Sequence, residues 1–132
     1  MCAKVEEAAM EIGAFTVSLA VKDIAKSFEF YTKLGFKQRS GDISQKWVVL
    51  QNGSAVIGLF QGMFDKNILT FVPGWNQDGN ELEKFTDIRD LQNALLEAGV
   101  ELKTKADEAT KGPAYFTLED PDGNQILFDQ YR

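Results

Sequence analysis

The chemistry open to this chain is limited first by an absence: none of its 132 residues is histidine. That removes the commonest general base, the commonest transition-metal ligand and every Ser-His or Cys-His pair. The lone cysteine, Cys2, stands near a terminus with no histidine or second thiol to activate it, so nothing nearby depresses its pKa toward a reactive thiolate. Ser18, Ser27, Ser40, Ser44 and Ser54 have no base close by in sequence. The glycines form neither G-x-x-x-x-G-K-[ST] nor G-x-G-x-x-G, so no phosphate cradle is expected. What remains is a scatter of carboxylates and a wealth of flat rings: ten Phe, three Tyr and two Trp.

Composition narrows the class of protein. A chain of this length with 44% hydrophobic residues suits one compact domain with a real core. Fourteen basic residues lie among twenty acidic ones, for a net charge of −6. Nucleic-acid binding is not expected, because it needs clustered Lys and Arg. No apolar run approaches the roughly 18 residues of a membrane helix, so no membrane partner is expected. Residues 1–12 (MCAKVEEAAMEI) lack the apolar stretch of a secretory signal and read as a flexible lead-in. One cysteine cannot form an intramolecular disulfide, which suits a reducing, cytoplasmic setting.

The elements that must position any site follow from periodicity. Phe15, Val17, Leu19 and Val21 alternate with Thr16, Ser18 and Ala20, the period of a strand. Asp23 then caps a helix carrying Ile24, Phe28 and Tyr31 on one stripe, ending at Leu34-Gly35. Strands follow near 36–40, 46–51 and 54–61, the last two joined by the tight-turn pair Asn52-Gly53. The same order then recurs: a strand near 67–72, a connection over 73–85, and a helix over about 87–98 with Ile88, Leu91 and Leu95 on its stripe. Strands near 100–105, 114–119 and 124–130 complete the second copy. WVVLQNGSAVIGLFQ (47–61) matches YFTLEDPDGNQILFDQ (115–130), so helix, cap, hairpin and order all repeat. The chain is therefore expected to be a single domain over 13–131, with one module at 13–61, a linker at 62–66 and a second module at 67–131.

VSLAVKDIAKSFEFYTKLGF (17–36) and DPDGNQILF (120–128) resemble the opening and the closing hairpin of the vicinal-oxygen-chelate superfamily, which includes glyoxalase I, extradiol dioxygenases and bleomycin-resistance proteins. The resemblance covers roughly 14–131. It implies an α+β fold in which two βαβββ modules pair into a cup-shaped mixed sheet with the helices outside. It also implies a homodimer. Strand alternation then assigns faces. Thr16, Ser18, Trp47, Val49, Gly58, Phe60, Tyr115, Thr117, Leu127 and Asp129 are expected on the cup side, with Asn67, Leu69 and Phe71 from the fifth strand. Trp75 and Phe64 are expected at the rim.

Metal-dependent members of that superfamily hold a divalent ion with four cup-facing ligands drawn from His, Gln and Glu. Those positions fall here on Thr16, Gly58, Asn67 (or Thr70 or Asn80) and Leu127. Gly and Leu carry no donor atom, and neutral Thr and Asn bind such ions weakly. A two-residue register shift brings in only Gln125, Asp129 or Gln61. No metal and no other cofactor is expected. The expected function is metal-independent binding of a small aromatic or amphipathic molecule by a ring-lined cup, and the acidic chain suits a cationic ligand. One alternative is a glyoxalase-like lyase or isomerase, or a dioxygenase-type enzyme, with a non-standard site. There Asp129, if its pKa is raised by burial, would be the base; otherwise it is an exposed strand-end acid. The other alternative is a structural or regulatory dimer whose rings fill the cup. The 73–85 connection reads either as a mobile lid or as an ordinary surface insertion.

Overall fold

The computed structural model describes residues 10–132. Cys2 and most of the lead-in lie outside the described residues. Seven strands and two α-helices are present: β1 (Ala14–Val21), α1 (Ile24–Lys33), β2 (Lys37–Asp42), β3 (Trp47–Asn52), β4 (Ala55–Gln61), β5 (Ile68–Val72), α2 (Ile88–Glu97), β6 (Ala114–Glu119) and β7 (Gln125–Gln130). They form one mixed sheet in the order β2-β3-β4-β1-β5-β7-β6. The first strands of the two modules meet at its centre, where β1 runs antiparallel to β5 with Thr16 opposite Thr70. The modules thus pair within one chain, and the short linker 62–66 is long enough to allow it.

Both helices cover the same face of the sheet, each over its own small core. Ile24 packs with Val48, Leu50 and Leu59 in the first module. Ile88 and Leu91 pack with Phe116, Leu118 and Phe128 in the second. These are the side chains that the strand and helix periods place inward, and each fully buried one is worth roughly 1.5–3 kcal/mol. Asp23 and Asp87 cap the helices as expected, accepting from Lys26 N and Arg89 N. A second device repeats as well. Gln61, the last residue of β4, accepts a hydrogen bond from Ile24 N, and Gln130, the last residue of β7, accepts one from Ile88 N. Each module therefore satisfies a first-turn helix N–H from the end of its own final strand.

The modules differ at one strand. Residues 100–105 form no strand, only the isolated bridge Thr104–Thr117. The cause lies on α2, where Gln92 is buried and grips the chain beyond the bridge. Its Oε1 accepts from Ala106 N at 2.7 Å and its Nε2 donates to Ala106 O at 3.0 Å. Arg89 holds Thr110 Oγ1 and Gly112 O in the same way. The segment is drawn onto the helix after one bridge instead of continuing along β6.

The fifth strand corrects the sequence-based register. Leu69 and Phe71 do not face the cup. Phe71 lies 5.3 Å from Phe128 and joins the second core, and Phe15 opposite it packs against it at 5.1 Å with the rings tilted by 30°. The cup-facing residues of β5 are Ile68, Thr70 and Val72. The two polar members of NILTFV, Asn67 and Thr70, fall on opposite faces of a strand, so alternation gave no consistent phase.

Candidate functional site

On the face away from the helices lies a cleft of about 410 Å³. Its floor is a pair of buried hydroxyls at the centre of the sheet, Ser18 Oγ and Thr70 Oγ1, which bond to each other at 2.9 Å. Thr16, Val49, Phe60 and Val72 make the walls, and Trp75 and Tyr131 close the far side. The cleft sits over the first module and the central strands; the outer part of the second module does not line it.

The 73–85 connection shapes this cleft and is firmly pinned. It folds back on itself through the Trp75–Glu81 bridge and the Leu82 N to Gly74 O bond. Gln77 then takes the place of a missing ladder residue beside β1: its Oε1 accepts from Phe15 N at 2.8 Å, and its Nε2 donates to Phe15 O at 2.6 Å and Ser54 O at 3.0 Å. At the other end Arg132 donates to Gly74 O and Leu82 O, with its guanidinium 4.6 Å from the Phe85 ring centre. Of the two readings of this connection, the pinning favours a fixed wall over a lid.

Of the residues expected in the cup, Thr16, Ser18, Val49, Phe60 and Trp75 line the cleft. Trp47 is one layer back, its ring stacked 9° from parallel to Phe60 at 6.4 Å. Leu127, Tyr115 and Asp129 lie on the cup face of β6 and β7 but beyond the cleft, and Tyr115 is exposed. Phe71 is on the opposite face. Ala14, Arg39, Val72 and Tyr131 line the cleft without having been singled out, and Thr70 had entered only as an alternative metal-ligand position. Tyr131 had a usable signal, since alternation through Leu127 and Asp129 continues to it. Arg39 had none, because it stands at a bulge where β2 slips by one residue against β3.

The metal-ligand positions of the family can be tested against this geometry. A Cβ on Gly58 would lie 2.6 Å from the Phe60 ring, so that ring fills the space a ligand side chain would need. Leu127 offers no donor. Asn67 lies at the end of β1, where its Oδ1 accepts from Ala20 N at 2.9 Å. Thr16 and Thr70 supply only neutral hydroxyls. Among the described residues no three His, Cys, Asp or Glu side chains stand close enough together to hold an ion. The residues present do not fit a divalent metal at that position.

Asp129 is half-buried, and that burial raises its pKa. Tyr131 is also raised, by burial first and then by the charge of Asp129, with Arg39 opposing. For Asp129 the folded pKa lies above the unfolded one, so the folded state holds the proton more tightly. Its contribution favours folding below the unfolded value, near 3.9, and is lost as pH rises through the folded pKa. Asp129→Asn is therefore expected to raise the midpoint of thermal unfolding at neutral pH. The gain should shrink as pH falls through the raised folded pKa toward the unfolded value, as the wild-type carboxyl takes up its proton. Melting curves across that range check this, and a gain that is constant or absent would contradict a buried, disfavoured charge.

Residues 12–128 match the family model of the glyoxalase/bleomycin resistance protein/dioxygenase superfamily, and the chain belongs to that superfamily. Solved structures agree on the fold. A superfamily member from Vibrio splendidus superposes with a TM-score of 0.60 at 18% identity, over 88% of this chain and 97% of that one. A structure described as an NAD-dependent benzaldehyde dehydrogenase from Legionella pneumophila gives 0.65 at 15% identity, over 89% and 99%. Homoprotocatechuate 2,3-dioxygenase from Brevibacterium fuscum gives 0.51 at 19% identity, over 92% of this chain but only 32% of its own. No curated protein matches the sequence. At these identities the likeness is one of fold, and reaction must be argued from the site.

Proposed function

We propose that this protein binds a small aromatic or amphipathic molecule in its cup without a metal. The observation that carries the reading is the cleft itself: it is open beside the Ser18–Thr70 floor, while the Phe60 ring occupies the second ligand position. Apolar walls with a few convergent polar groups are the usual make-up of a small-molecule site, and about 410 Å³ falls within the usual size range of roughly 300–1,000 Å³. A filled, purely structural cup is disfavoured by that space. The proposal extends to a homodimer in a reducing cytosol, supported by the exposed Tyr115 on the edge strand β6 and by the single cysteine. Among the described residues no helix is long and apolar enough to cross a membrane.

A thermal-shift panel of aromatic and amphipathic compounds tests the binding, since a ligand of the native state stabilises by RT ln(1 + [L]/Kd). Val49→Phe, which adds a ring inside the cleft, is expected to weaken any hit by about tenfold or more, because overpacking leaves no room without rearrangement. A hit that binds Val49→Phe as tightly as wild type would place the ligand elsewhere and overturn the proposal. Light scattering of the purified chain reads the oligomeric state, and a monomer at working concentration would remove the dimer from the reading.

A further inference from the structure

Among the described residues Arg39 is the only charged side chain lining the cleft, and the way it reaches that place is unusual. Gln38 pairs with Leu50 and Ser40 with Val49, which leaves Arg39 as the extra residue of a β-bulge. Bulges re-aim side chains, and this one brings a guanidinium from an edge strand to the mouth of the cup. It is held there by neutral groups alone. Its Nη1 donates to Gln51 Oε1 at 2.9 Å and to Gln77 O at 3.0 Å. The carboxylate of Asp78 is taken up by Gln51 Nε2 instead, at 3.3 Å. Arg39 makes no ion pair among the described residues. Gly79 gives the guanidinium its room: a Cβ there would lie 3.0 Å from Cζ and Nη2. Among the described residues Nε and Nη2 have no hydrogen-bond acceptor, while Nη1 is anchored.

We infer that the ligand of the cleft is an aromatic or amphipathic anion, its carboxylate or similar planar group paired with Arg39 at the mouth and its apolar body against Phe60 and Val49. This rests on the cup-binding proposal and names its ligand class. It also reverses the sign suggested by the net charge of −6. Charges spread over the surface are screened beyond about 8 Å at physiological salt, whereas a guanidinium at the site acts at contact distance. Arginine is suited to the task, because its fixed fork matches a carboxylate bidentately and Nη1 is already anchored.

The test uses three matched probes: naphthalene-2-carboxylate, naphthalene-2-carboxamide and 2-naphthylmethylammonium, titrated calorimetrically into wild type, Arg39→Gln and Arg39→Lys. The carboxylate is expected to bind wild type about tenfold tighter than the carboxamide, as a charge-assisted bond allows, and the ammonium most weakly. Arg39→Gln should bring the carboxylate-to-carboxamide ratio close to one. Arg39→Lys, which keeps the charge but not the fork, should fall between. Arg39 is exposed, so both variants are expected to fold as wild type, which an unchanged melting profile checks. If the carboxamide or ammonium binds as well as the carboxylate, or the ratio survives Arg39→Gln, this inference is wrong and the cup remains a binding site. If none of the three shows saturable binding, the cup-binding proposal falls, and this inference with it.

Discussion

Gln130→Ala is expected to lower the free energy of unfolding by about 3–5 kcal/mol, as when several groups in a buried network lose their partner at once. Gln130 is 1% exposed. Its Oε1 accepts from Ile88 N at 2.7 Å, and its Nε2 donates to Asp87 Oδ1 at 2.9 Å, Arg132 O at 3.0 Å and Gly112 O at 3.2 Å. Truncation leaves an N–H of the first turn of α2 unsatisfied and takes a donor from Asp87, whose pKa the bonds from Gln130 and Arg89 hold down against its burial. The matching change in the other module, Gln61→Ala, should cost only about 1 kcal/mol, the usual worth of one helix cap. Gln61 is less buried, and its Oε1 accepts only the Ile24 N–H. Urea unfolding of both variants measures the difference, and equal small losses would mean that the second module does not depend on this network.

The second large effect concerns Gly58. Gly58→Ala is expected to destabilise by about 1–3 kcal/mol, the usual cost of forcing an extra group into a packed site. The added Cβ would stand 2.6 Å from the Phe60 ring, which is itself stacked on Trp47 and packed against Phe64 at 5.3 Å. Phe60→Ala alone also costs stability, by lost packing. In the double variant the clash is gone, so the two losses should sum to more than the double costs, with a coupling in the range of about 0.5–3 kcal/mol for residues in contact. Additive losses would show that the ring does not occupy the space above residue 58.

The repeat was legible in the sequence because each of its parts has a strong local signal. Asp23 and Asp87 sit at cap positions, Gly35 and Gly99 follow the helices with positive φ, and Asn52-Gly53 and Asp120–Gly123 mark the hairpins. Binary alternation placed Thr16, Ser18, Val49 and Phe60 on one face of the sheet without any tertiary information. It failed at β5, where the apolar run carried no phase, and at residues 100–105, where Gln92 pulls an otherwise strand-like segment onto α2. Arg39 was hidden for a different reason: a bulge shifts the register by one, and alternation cannot foresee it. The wall over 73–85 depends on Gln77 acting as a surrogate backbone partner 62 residues from Phe15, a contact that only the folded chain reveals.

The site is thus built on a doubled scaffold, with buried hydroxyls at its floor and the Phe60 ring filling the space above Gly58. The most direct measurement is a calorimetric titration of naphthalene-2-carboxylate into protein prepared without an affinity tag, in excess EDTA and again with divalent ions added. The predicted result is one saturable site of equal affinity in both conditions, weakened about tenfold or more in Val49→Phe. Binding that vanishes in EDTA and returns with a divalent ion would contradict a metal-independent cup.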